Sequence, residues 1–119
     1  MTHTDVTEAL MLEALMLCAV LLASGEPQDI ASVRLAVIRG HGAMGKKLTA
    51  NSGNQWGAMV RWMRDRGFLV EDLYAQTWAA GKIPEFLNPP SEYMKAAATA
   101  WRSVAEDIHP TRQRRFLIR

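Results

Sequence analysis

The longest apolar run, Ala9 to Ala23, is interrupted only by Glu13 and stops at Ser24-Gly25. Asp5 and Glu8 stand before it in capping-box spacing, with acids where a helix dipole favours them, so a helix is predicted over residues 5–23. A helix apolar on nearly every side must be covered on most of them. It is therefore the central helix of a core, or else part of a homodimer interface. Pro27 suits the first turn of a second helix ending at Arg39-Gly40. The β-branched stretch Val33 to Ile38 within it also fits a strand, because short apolar runs do not distinguish the two. In the next segment Trp56, Met59, Val60 and Met63 fall at i, i+3, i+4 and i+7. That spacing defines one buried face of a third helix, opened by Ser52 and Gln55 and closed by Gly67. Trp62 lies off this stripe and is expected to be partly exposed, as a contact for a partner.

Phe68-Leu69-Val70 re-enters the core directly after Gly67. Leu73, Tyr74, Thr77 and Trp78 then fit a short helix closed by Gly81, and no strand-turn-strand is expected directly after Val70. A Pro-punctuated connection over residues 82–90 leads to a last helix over 91–108, whose stripe includes Met94, Ala97, Trp101 and Val104. In the tail, Phe116-Leu117-Ile118 reads either as a late strand pairing with Phe68 to Val70 or as part of an unstructured basic end. The pattern amounts to a mainly α fold, a compact bundle of about five helices with a minor β element. Residues 1–119 are expected to form a single globular domain with a basic tail over 109–119.

Charge changes this picture more than composition does. The net charge is only +2, yet residues 1–29 contain no Lys or Arg, while residues 30–70 carry seven bases against Asp65 alone. The tail adds Arg112, Arg114, Arg115 and Arg119 without an acid. Blocks of one sign create a local field that attracts phosphate or an acidic protein surface even on a nearly neutral molecule. The apolar run at residues 9–23 is too short for a membrane span, which takes about 20 residues. Nor does the acidic stretch before it match a secretory signal. With Cys18 as the one cysteine, a reducing, cytoplasmic setting is expected, without an internal disulfide.

Enzyme chemistry has little to build on. Three histidines and one cysteine fall in no zinc-ligand spacing, and no nucleophile motif or paired carboxylates stand in a recognisable context. Neither a metal nor a cofactor is expected, and the chain is read as a non-enzyme. Gly40 to Lys46 does satisfy the GxxxxGK spacing of a phosphate-binding loop. Lys47, however, stands where that loop needs Ser or Thr for magnesium. What remains is a glycine-rich segment, with His41 in it as an exposed loop histidine. Its Lys46 and Lys47 either touch a nucleic-acid phosphate or belong to a plain flexible connection.

The stretch from Asn54 to Val70, a basic amphipathic helix ending in Arg66-Gly67-Phe68-Leu69, resembles the recognition helix and first wing strand of a winged helix-turn-helix domain. The two helices expected before it come in the order such a domain requires. The resemblance implies that Asn51, Asn54, Gln55 and Ala58 face base edges. It also implies that Arg61, Arg64, Lys46 and Lys47 touch phosphates. The arginines Arg112, Arg114 and Arg115 would add to the same basic surface. The expected function is a small DNA-binding regulator. The alternative is an inhibitor or adaptor of the kind phages and mobile elements carry, acting on an acidic or nucleic-acid-binding surface of a partner, with Trp62 as its contact.

Overall fold

The computed structural model describes residues 8–45 and 53–108. In chain order they form α1 (Glu8–Ser24), β1 (Gln28–Asp29), α2 (Ile30–Ala43), α3 (Gly53–Asp65), β2 (Leu69–Asp72), β3 (Thr77–Ala80), a 3-10 turn (Glu85–Leu87) and α4 (Ser91–Ile108). The domain is mainly helical, with four α-helices and a small three-stranded antiparallel sheet in the order β1-β3-β2. None of the described helices is long and apolar enough to cross a membrane.

The even spread of apolar residues around α1 follows from its position at the centre. It touches α2, α3, α4, β3 and the 3-10 turn, and every residue from Met16 to Leu21 is buried. Leu12 and Leu22 stay exposed. The residues from Val33 to Ile38 are helix rather than strand. Asp29 caps α2 by accepting a hydrogen bond from the Ser32 amide at 3.0 Å, so the helix starts three residues after Pro27.

Gly40 does not end α2, which runs on to Ala43. A Cβ on Gly40 would lie 2.7 Å from Met16 Sδ, so this glycine lets α1 and α2 approach closely. His41 is accordingly buried in the last turn of α2 and is not an exposed loop residue. A helix in place of a strand before Gly40 also removes the setting that a phosphate-binding loop requires.

The chief departure from the sequence pattern lies after α3. Residues 73–78 do not form a helix. Leu69–Asp72 and Thr77–Ala80 pair as a hairpin, with Leu69 opposite Ala80 and Asp72 opposite Thr77. Asp72 closes the turn by accepting from the Ala75 amide at 2.9 Å, and Gln76 takes a positive φ of 60°. Leu73 and Tyr74, spaced like a helical stripe with Thr77 and Trp78, are exposed at the tip, whereas Trp78 is buried. The β2-β3 hairpin is thus built from residues close in sequence, and β1 adds to its other edge, with Gln28 opposite Trp78. Phe116–Ile118, the other partner considered for Phe68–Val70, lies outside the described residues. Val70 is exposed, so only part of that apolar triplet re-enters the core.

Candidate functional site

The third helix comes closest to its sequence reading. Trp56, Met59, Val60 and Met63 are all buried, as the i, i+3, i+4, i+7 spacing requires. The helix ends in a left-handed glycine, Gly67, with φ 79°. There the Phe68 amide donates to the Met63 carbonyl at 2.9 Å and the Gly67 amide to the Arg64 carbonyl at 3.0 Å. This pair of bonds satisfies the last carbonyls of the helix and turns the chain into β2.

The chain returns from β3 beside that same turn. The Gly81 amide donates to the Phe68 carbonyl and the Lys82 amide to the Gly67 carbonyl, both at 2.8 Å. A Cβ on Gly81 would fall 2.2 Å from the Gly67 carbonyl oxygen, so this crossing needs glycine. The hairpin is thereby fixed against the end of α3.

Glu71 of β2 makes a second attachment. Its Oε1 accepts from Arg64 Nη1 at 3.0 Å, and its Oε2 accepts from Trp78 Nε1, also at 3.0 Å. The Trp78 hydrogen bond, followed by the hydrogen bond and charge of Arg64, holds this carboxylate below the usual glutamate range against the opposing effect of burial. Arg64 is held protonated above its ordinary value, first by the hydrogen bond to Glu71. Arg64 also reaches Asp65 at 3.5 Å, so its charge is already matched by acids.

The other described cations of the basic block are Arg34, Arg39, Arg61 and Arg66. Arg39 pairs with Asp107 at 2.6 Å and donates to Ser103 Oγ at 2.8 Å, tying α2 to α4. The Arg66 guanidinium lies over the Trp62 ring, 5.1 Å from its centroid. Arg34 of α2 lies over Trp56 of α3 at 5.2 Å. Arg61 is exposed on the outer face of α3. Among the described residues neither Arg34 nor Arg61 forms an ion pair.

Two hollows flank Arg61. One of about 360 Å³ runs along Ala58, Trp62, Asp65 and Arg66. The other, of about 290 Å³, lies between α2, α3 and the hairpin, with Arg34, Gly57, Arg61, Arg64 and Glu71 in its wall. Arg61 borders both.

Trp62 is not the exposed contact that its place off the stripe suggested. It is only 8% exposed, packed edge-on against Phe68 at 5.5 Å and Phe86 at 6.3 Å between ring centroids. Those rings come from the turn after α3 and from the 3-10 turn, which a helical wheel of α3 alone does not include.

Of the other residues singled out in the sequence, Asn54 and Gln55 lie in the first turn of α3. Lys46, Lys47, Asn51, Arg112, Arg114 and Arg115 lie outside the described residues. The sequence pattern does not single out Arg34, whose partner Trp56 lies on another element. Once α2 is a helix, Arg34 stands beside Trp56 at the edge of the basic face.

Cys18 is buried in α1, and burial pushes its thiol up to about 12, which leaves it neutral and poorly nucleophilic. No group of three or more His, Cys, Asp or Glu able to hold a metal occurs among the described residues. Compared with protein-family models, curated proteins and solved structures, the chain matches none.

Proposed function

We propose that this protein binds duplex DNA in the manner of a winged helix-turn-helix domain and acts as a regulator without catalysing a reaction. One observation carries this reading. The amphipathic helix α3 follows α2 and leads directly into a strand-turn-strand, while its outer face presents Arg61 without an acid partner among the described residues. The resemblance over residues 54–70 calls for such a wing, and the contact of β2 with α3 supports that reading. A helix of this kind enters the major groove, with its first turn at base edges and cations beside it at phosphates. Asn54 and Gln55 are in that first turn, where amide side chains suit adenine.

A second reading rests on the hairpin itself. From Glu71 to Gly81 it holds no Lys or Arg, and its tip exposes Leu73 and Tyr74. An acidic, apolar tip suits a protein surface better than a phosphate backbone, which favours an inhibitor or adaptor.

Titration of the isotope-labelled protein with a short duplex distinguishes the two. The DNA reading expects backbone amide shifts centred on Asn54, Gly57, Ala58, Arg61 and the residues that flank them in space. Amide positions unmoved by excess duplex at low salt would overturn it.

A further inference from the structure

The hollow between α2, α3 and the hairpin has a glycine in its wall that internal packing does not explain. Glycine is the poorest helix former after proline. Gly40 has a packing reason in Met16, and Gly81 has one in the Gly67 carbonyl. Gly57, in the body of α3, has none. A Cβ there would meet only Arg61 Nη1, at an ordinary contact distance of 3.6 Å. A glycine with room for a side chain, on an accessible helix face, leaves the backbone open to close approach from outside the chain.

The charges around Gly57 indicate what that is. Arg34, Arg61 and Arg64 line the hollow against one carboxylate, Glu71. Both oxygens of Glu71 are already engaged, by Arg64 and Trp78. Arg34 and Arg61, which form no ion pair among the described residues, are thus left over beside the Gly57 backbone, and Arg34 is steadied by the Trp56 ring. Guanidinium groups in this arrangement match the oxygens of a phosphate.

We infer that the hollow at Gly57 is a phosphate seat, in which Arg34 and Arg61 hold one phosphate of a nucleic-acid strand against α3. The inference rests on the DNA reading for the source of the phosphate, and on the hollow alone for its chemistry. It brings α2 into the interface through Arg34, and Gly57 sets how closely the strand lies to α3.

Two substitutions in the full chain test it. Arg34→Gln keeps a stem over Trp56 and removes the charge. Gly57→Ala adds a methyl group where there is room, and alanine favours the helix, so its Tm is expected to equal or exceed that of the parent. Arg34→Gln should bind a labelled duplex about tenfold more weakly, the loss expected for a charge-assisted hydrogen bond, and Gly57→Ala should also bind more weakly because its methyl group holds the strand off the helix. Arg34→Gln should also reduce the slope of log affinity against log salt by about 1. A parent that binds duplex while both variants bind equally well, with unchanged slope, overturns the seat and leaves the DNA reading standing.

Titration with inorganic phosphate, followed at the Gly57 amide, separates the sources. A parent that fails to bind duplex but shows a Gly57 shift with phosphate, lost in Arg34→Gln, overturns the nucleic-acid source and retains the seat for a free phosphate group. No response to either probe overturns both.

Discussion

Glu71, the third residue of β2, accepts a hydrogen bond from Arg64 in the last turn of α3 at 3.0 Å and so fastens the hairpin to the helix. Its ionisation is linked to folding. The folded carboxylate titrates below the ordinary value of 4.5, first because Trp78 donates to it and then because of Arg64. The stabilisation is present above that ordinary value and is lost as pH falls through the depressed folded value. Glu71→Gln should therefore lower the Tm at neutral pH and make the acid decline of Tm shallower than in the parent. Thermal melts from pH 7 into the acid range check this, and parallel declines would contradict it.

Arg61 and Arg64 have different surroundings, so their alanine variants should behave differently. Arg61→Ala removes a cation with no described acid partner and is expected to weaken duplex binding about tenfold and reduce the salt slope by about 1, with Tm unchanged. Arg64→Ala strips Glu71 of a partner and should change Tm as well. Anisotropy titrations paired with melts measure both quantities, and identical behaviour of the two variants would contradict the assignment.

Trp62→Ala is expected to destabilise the fold by about 3–5 kcal/mol, the range for truncating a buried large aromatic residue. Its ring is closed in by Phe68, Phe86 and the Arg66 guanidinium. Urea denaturation measures the loss. An unchanged midpoint would return Trp62 to the role of surface contact.

Gly81→Ala places a methyl group against the Gly67 carbonyl, at a crossing that holds the hairpin to α3. A cost of about 1–3 kcal/mol is expected from this overpacking. Gly57→Ala, where there is room, should cost nothing. The same denaturation series compares the two, and equal effects would contradict the distinction between a packing glycine and an open one.

How far the sequence reveals this arrangement depends on whether the information is local. The stripe of α3 and its stop at Gly67 were legible because periodicity and a left-handed glycine are properties of one segment. So were the central helix α1 and the last helix α4. The hairpin was not, because Leu73 and Tyr74 at a turn reproduce the spacing of a helical face with Thr77 and Trp78. Only cross-strand pairing with residues 69–72 separates the two. Gly40 misled for a related reason. A glycine that lets two helices touch looks the same in sequence as one that ends a helix, until Met16 is seen beside it. Trp62 and Arg34 likewise take their roles from neighbours on other elements. The wheel of α3 contains neither Phe86 nor Arg34.

The central claim is that α3 and its flanking cations hold duplex DNA. The most direct test is fluorescence anisotropy of a labelled random duplex titrated with the protein at about 50 and then 200 mM salt, a range over which several phosphate contacts cost orders of magnitude in affinity. Micromolar or tighter binding is expected at the lower salt, collapsing at the higher. No binding at the lower salt, or binding indifferent to salt, would contradict it.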